Sequence, residues 1–243
     1  MGKNKHYQER FYRKWVNSGG LLTREVIVGE TDVFVSAEKD FSKVAEGLVK
    51  ECRAEIESYI KKHPGFKTSL EPLSGDKDAA DIVKDMIRSS RLAGVGPMAS
   101  VAGAVSEFVG KGLLRYTDQV IVENGGDVFI KSTIERTVAV FAGDSPLSNR
   151  LFIKIKPGQT PLGICTSSGT VSHSLSFGKA DACVIISRSA ALADALATAA
   201  CNRVKKAEDI RTALSFALSI KGILGALVIY GKDFGVSGDI ELA

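Results

Sequence analysis

The sequence predicts an α+β fold, and three observations carry that expectation. The opening residues alternate with period two between glycine turns. A long stretch from Glu38 to His63 then keeps a helical repeat, and the later strands and helices come in runs without strict βαβ alternation. The chain has 243 residues, 44% of them apolar and 25% charged, the balance of a globular protein. At that length folding buries roughly three quarters of the unfolded surface, so no staple is needed. No linker or low-complexity tract divides the chain, and one domain over residues 1–243 is expected.

Residues 8–16 place Phe11, Arg13 and Trp15 on one face and Tyr12, Lys14 and Val16 on the other. The turn from Asn17 to Gly20 leads into LLTREVIV at 21–28, and Gly29-Glu30 turns the chain into TDVFVS at 31–36. Together these segments predict an antiparallel meander. The aromatic, basic first segment also admits reading as a nucleic-acid arm, but its alternation continues through the next two segments.

From Glu38 to His63, the residues Phe41, Val44, Ala45, Leu48, Val49, Cys52, Ile56, Tyr59 and Ile60 form one helical stripe, which Pro64-Gly65 ends. A second helix is expected at about 77–91, with Asp78 and Asp81 at its positive end. Gly96-Pro97 suits another helix start, and Ala99, Ala102, Gly103 and Ala104 leave that helix a face thin enough for close approach. QVIVEN and DVFIK flank Gly125-Gly126 as a strand pair. Further strands are expected at about 137–142, 151–156, 161–166 and 182–187, then helices at 190–203 and 207–219, and last strands near 225–230 and 239–242.

The net charge of +4, from 32 basic and 28 acidic residues, is too mild for the concentrated basic face of a nucleic-acid binder. Cys52, Cys165, Cys183 and Cys201 lie far apart, with no CxxC pair and no histidine at zinc-finger spacing. A disulfide framework and structural zinc both lack support. The N-terminal MGKNKHYQERFYRKW has no apolar core of a signal peptide, and the longest clean apolar run, ILGALVIY at 223–230, is too short to span a bilayer. A cytoplasmic protein without a membrane partner is expected.

Four segments carry candidate chemistry. In NGGD at 124–127, Gly125 and Gly126 let a ligand approach the backbone while Asn124 and Asp127 bond to it; the plain alternative is a hairpin turn. In ICTSSGTVSHS at 164–174, Thr166, Ser167, Ser168 and Thr170 crowd around Gly169 as donors to a phosphate or ring oxygen. His173 is of the residue type that suits acid–base work near neutral pH, or it is a satisfied structural histidine. In AALADALATAACN at 190–202, Asp194 and Thr198 stand four apart on one helix face and offer hard oxygens to magnesium. The alternative is a carboxylate serving the helix's positive end, but Asp194 lies too deep for that if Ser189 is the cap. Finally, Gly94 to Met98 puts free amides at a helix start, where ordinary capping competes with anion binding.

The order of these segments resembles the ApbE family, which includes FAD-dependent protein flavin transferases. The resemblance runs from about Gly94 to Asn202, and ADALAT at 193–198 is its most specific element. It implies magnesium held by Asp194 and Thr198 beside the pyrophosphate of FAD. It carries the family's Gly-Gly element to Gly125 and Gly126, its loop to Thr166, Ser167 and Gly169, and its histidine to His173. NGGD, GICTSSGT, HSLSFGKAD and the closing GDIEL place the chain beside a shorter branch of the same superfamily. The implied architecture is the T-fold, antiparallel sheet backed by helices with an internal duplication. Where the family's flavin transferases carry a lysine in an AKGYA-like run, this chain reads MASVAGA, with Ser100 and Val101.

The leading expectation is therefore a protein binding FAD, FMN or another nucleotide with Mg2+, its catalytic candidates being Cys165 and His173. One alternative, drawn from the branch's association with sulfide assimilation, is sulfur handling at Cys165, whose thiol is expected partly reachable beside the hydroxyl-rich loop. Another is a non-catalytic ligand-binding module that assembles as a homo-oligomer.

Overall fold

The computed structural model describes residues 18–171 and 176–243, so the strand expected at 8–16 and His173 lie outside the described residues. The chain opens with the hairpin β1 (Leu22–Val28) and β2 (Thr31–Ala37), turned at Gly29 with φ +60°. The helices α1 (Ser42–Lys62), α2 (Gly65–Thr68), α3 (Asp81–Ala93) and α4 (Val101–Leu113) follow, with a short 3₁₀ turn at Pro97–Ser100 leading into α4. A second hairpin is β3 (Val120–Asn124) and β4 (Asp127–Lys131). After β5 (Arg136–Ala139) and β6 (Phe152–Ile155) the pattern returns: β7 (Leu162–Ser167), β8 (Ala182–Ser187), α5 (Ala190–Asn202), α6 (Ile210–Ser219), β9 (Ile223–Tyr230) and β10 (Asp233–Gly238). The strand β11 (Glu241–Leu242) closes the described chain.

Eight strands form one antiparallel sheet in the order β1-β2-β3-β4-β7-β8-β9-β10. Each half is a hairpin, a helical insert and a second hairpin. The insert separates β2 from β3 and β8 from β9 in sequence, yet both pairs are hydrogen-bonded neighbours, with Val35 opposite Val122 and Val184 opposite Leu227. Strands β4 and β7 join the halves, Phe129 facing Gly163. This repeated order is the internal duplication that the resemblance implied.

The helices cover one face of the sheet, and the small sheet β11-β6-β5 covers the other. Period two sorts the side chains between them. Val120, Val122 and Phe129 meet the helices of the first half, while Ile121, Ile130 and Ile164 turn to Val138 and Ile153 of the small sheet. The stripe expected on α1 is present, with Ala45, Val49, Cys52 and Ile56 buried. Leu48 is half-buried and fills the space left by Gly112, where a Cβ would stand 2.7 Å from its Cδ1.

Two helix starts and one strand differ from expectation. α1 starts at Ser42, after the Asp40 carboxylate has accepted a bond from the Ser42 amide at 3.0 Å. α3 starts at Asp81 because Asp76 and Asp78 form their own turn, the Asp78 amide bonding to Asp76 Oδ1 at 2.9 Å. The strand β10 was not expected, since DFGVSG lacks a β-branched run. Gly235 permits it: a Cβ there would lie 2.8 Å from both Ile210 and Leu214 of α6. Among the described residues no single helix is long and apolar enough to cross a membrane; the pair α3 and α4 with its 3₁₀ turn has the composition but bends by 103°.

Candidate ligand site where the two halves meet

Helix α5 is positioned from its first turn. Ser189 is its N-cap, the hydroxyl accepting from the Leu192 amide at 3.3 Å. The buried Glu107 of α4 adds a second cap. Its Oε2 accepts from Ala190 N at 2.6 Å, Ala191 N at 3.2 Å and the Ser189 hydroxyl at 3.1 Å, while Oε1 meets Lys111 Nζ at 2.6 Å. A carboxylate bound at the positive end of a helix is stabilised by the free amides there. Asp194 therefore lies beyond the capping region, as the sequence reading required.

The Asp194 carboxylate is held instead by α4: its Oδ2 accepts from Gly103 N at 2.8 Å. Gly103 makes that contact possible, because a Cβ there would stand 2.3 Å from Ala190 O and 2.7 Å from Asp194 Cβ. Burial pushes the Asp194 carboxyl up to about 7, against the downward pull of the Gly103 and Ala102 amides. Asp127, the first residue of β4, is almost fully buried. Its carboxyl is raised well above the usual carboxylate range, first by burial and then by the charge of Asp194. Its Oδ1 accepts from Thr166 N at 3.2 Å. Asp127 is buried and Asp194 half-buried beside it, and two neighbouring acids in such a place resist simultaneous ionisation, so the pair favours either a retained proton or a cation. Thr198, also mostly buried, follows Asp194 one turn along the same face of α5.

Asn124 and Asp127 face each other across the two-residue turn Gly125-Gly126, whose φ values of +67° and +102° suit glycine. The plain hairpin reading of NGGD holds. A Cβ at either glycine would meet nothing within 4 Å, so the turn borders open space. Asn124 Nδ2 reaches across to Ala102 O at 3.2 Å, which ties the turn to α4.

On the other face of the sheet, a cleft of about 100 Å³ lies against the small sheet. Its polar lining is Glu123, Thr166 and Ser168, with Gly125 and Gly126 at the rim and valines such as Val128, Val138 and Val140 inside. The Glu123 carboxylate accepts from Gly126 N at 2.7 Å. Apolar walls with a few polar groups are the kind of lining that ligand pockets have.

The loop after β7 is less available than its composition suggested. Ser168 Oγ accepts from Thr170 N at 3.1 Å and Val171 N at 3.0 Å, and the Thr170 hydroxyl donates to Asp181 Oδ1 at 2.9 Å. Those hydroxyls chiefly hold the loop in shape. Ser167 is buried, and Gly169 is needed for packing, since a Cβ there would lie 2.2 Å from Gly178 O. Asn124, Asp127, Thr166 and Asp194 are thus brought together, and His173 lies outside the described residues.

Cys165 differs from expectation. The alternation along β7 sends its side chain toward α5, away from the cleft that Thr166 lines. It is fully buried, not partly reachable, and its Sγ donates to Ala190 O at 3.3 Å. Burial, then the charges of Asp127 and Asp194, push its thiol well above the ordinary range, the opposite of what a nucleophilic thiolate needs.

Sequence reasoning missed Glu107 and Glu123. Each reads as an ordinary charged residue on a helix or strand, and only the tertiary arrangement buries them. The thin face containing Gly103 was visible, but its partner on α5 was not.

Among the described residues no group of three or more His, Cys, Asp or Glu forms a metal cluster. The donors at this site are two carboxylates and a hydroxyl, and magnesium takes few protein ligands, all oxygen. The residues present fit that ion.

The comparisons with known proteins agree with this architecture. A family model described as AbpE bacteria matches residues 13–234. A UPF0280 protein of Methanococcus aeolicus is 39% identical over 226 residues, 90% of this chain and 91% of the relative. The UPF0280 protein MJ1526 of Methanocaldococcus jannaschii is 38% identical over 223 residues, 89% and 91% of the two chains. Among solved structures, the flavinyl transferase ApbE of Pseudomonas stutzeri in its apo form superposes with a TM-score of 0.61 at 14% identity, covering 89% of this chain and 93% of that one. The flavin transferase ApbE of Vibrio cholerae gives 0.59 at 13% identity, covering 89% and 96%. At those identities the structures share the fold, and the repeated hairpin–helix–hairpin order with its small covering sheet is that fold. With the model spanning most of its length, the chain belongs to the AbpE bacteria family.

Proposed function

We propose that the protein binds a flavin or another nucleotide together with Mg2+, the metal held by Asp194 and Thr198 and the planar ring taken into the apolar cleft. The observation that carries this reading is the juxtaposition of Asp127 and Asp194, two crowded acids beside an open glycine turn. Such a pair keeps a proton while the site is empty, and a divalent cation with a bound pyrophosphate would displace that proton and balance the ionised carboxylates. When bound, the metal would screen the phosphate charge and fix its position. Gly103 and Ala102 orient the Asp194 carboxylate through their amides, and Asn124 braces the turn against α4. The fold shared with flavin transferases supports a flavin as the first ligand to try.

Calorimetry with FAD, FMN and ATP, each with and without Mg2+, tests this. The reading expects metal to tighten at least one nucleotide, and Asp194→Asn to remove about tenfold or more of that affinity. Equal affinities in all of these conditions would assign Asp194 a structural role only.

A further inference from the structure

The cleft between the two sheets is small. Its floor is Val128, Ile164 and Val184 of the large sheet, and its roof includes Val138 and Ile153 of the small one. At about 100 Å³ it falls below the roughly 300–1,000 Å³ of pockets that enclose drug-sized ligands. An apolar cavity of roughly 150 Å³ takes a single benzene ring. One ring therefore fits between these walls, and the three fused rings of a flavin enter only when floor and roof part.

A chain of hydrogen bonds with Asp181 at its centre holds the two together beside Ser168 and Val171, which line the cleft. Asp181 stands just before β8, and its own amide donates to Ile229 O at 2.9 Å. Its Oδ1 accepts from the Thr170 hydroxyl at 2.9 Å, and its Oδ2 accepts from Gly231 N at 2.6 Å. Toward the roof, the Ser145 hydroxyl, in the loop between β5 and β6, donates to Gly231 O at 2.7 Å. Toward the floor, Thr170 N donates to Ser168 Oγ at 3.1 Å. One carboxylate thus joins the loop after β7 to the turn between β9 and β10 and, through that turn, to the small sheet. Bonds to an ionised acceptor are the stronger kind.

The joined parts have little slack. Ser145 and Ala142 are buried, with Ser145 N donating to Ala142 O at 3.0 Å and Ala142 N to Ser148 Oγ at 3.0 Å. A Cβ at Gly143 would stand 2.9 Å from Val171 Cγ2, so the roof loop already touches the floor loop. Widening the cleft means breaking the bonds to Asp181.

We propose, resting on the nucleotide reading above, that Asp181 is a specificity-determining residue: its clamp holds the cleft to the width of one ring. A nucleotide with a one-ring base then enters without disturbing the clamp, whereas a flavin must first open it. The cost of opening is subtracted from the affinity for the flavin alone. A protein that lacks the clamp has nothing to break, so it should bind the flavin more tightly than the wild type does.

The test compares UMP with FMN, whose single phosphates match, by calorimetry in the presence of Mg2+. In the wild type UMP should bind about tenfold more tightly than FMN or better, the worth of a hydrogen bond or two to a charged group. Asp181→Ala should shrink that ratio to about threefold or less by raising the affinity for FMN. Asp181→Asn keeps an oxygen for Gly231 N and an amide that the Thr170 hydroxyl can accept from, and should retain the wild-type ratio. Ser145→Ala cuts the chain at its roof end and carries the same comparison where Asp181→Ala does not fold. A loss of general stability lowers both affinities together and leaves their ratio alone. FMN binding as tightly as UMP in the wild type, or one ratio shared by the wild type, Asp181→Ala and Ser145→Ala, would overturn the clamp and leave the nucleotide reading standing. Neither ligand binding to the wild type would overturn both.

Discussion

The Asp194 carboxylate and the Gly103 amide meet at 2.8 Å, and this contact fixes the distance between α4 and α5. It exists only because residue 103 has no side chain, since a Cβ would stand 2.3 Å from Ala190 O. Gly103→Ala should therefore separate the two helices, at a cost of about 1–3 kcal/mol. Denaturant unfolding measures that cost, and calorimetry should show weaker metal-dependent nucleotide binding in the same variant. Unchanged stability would mean that the helices can part without loss.

Metal binding should depend on pH in a defined direction. Burial raises the Asp194 carboxyl from an ordinary 3.8 to about 7, so the metal-free folded state holds a proton that the unfolded chain releases. That proton stabilises the fold below about pH 4, and its contribution is lost as pH rises through about 7. A cation must displace it. Mg2+ affinity should therefore rise about tenfold per pH unit below pH 7 and level off above. Titrations at pH 5, 6, 7 and 8 check the slope, and a flat profile would remove Asp194 from the ligand set.

Glu107 should matter for stability well beyond an ordinary surface glutamate. Its buried carboxylate caps α5 through two amides and a hydroxyl, and Lys111 is its ionic partner. Glu107→Ala leaves those donors without their acceptor and should cost about 3 kcal/mol. Glu107→Gln keeps an oxygen for the cap and should cost less. Unfolding curves of the two variants give the comparison, and equal losses would point to packing alone.

Cys165 should be inert. In native protein it should alkylate with iodoacetamide no faster than Cys52, because both thiols are buried and raised in pKa. Selective labelling of Cys165 before the others would restore the sulfur-handling reading.

Much of the architecture was legible because periodicity is a local property. The α1 stripe, the β3–β4 pair around Gly125-Gly126 and the run of α5 all follow from spacing that the sequence displays. The strand β10 escaped because its glycines are set by contact with α6, a partner distant in sequence. The site was legible by residue type and less so by orientation. Asp127 and Asp194 stand in recognisable polar motifs, and the fold unites them. The hydroxyls of Ser168 and Thr170, equally conspicuous, turn back into their own loop. The direction of Cys165 depended on the register of β7 against β4 and β8, where a shift of one residue would exchange it with Thr166.

The most direct measurement is anomalous diffraction from a crystal grown with FAD and Mn2+ in place of Mg2+. The account predicts a single strong manganese peak within bonding distance of the Asp194 carboxylate and the Thr198 hydroxyl, next to nucleotide phosphate density. Ordered FAD with no manganese between those two side chains, or manganese bound elsewhere, would contradict it.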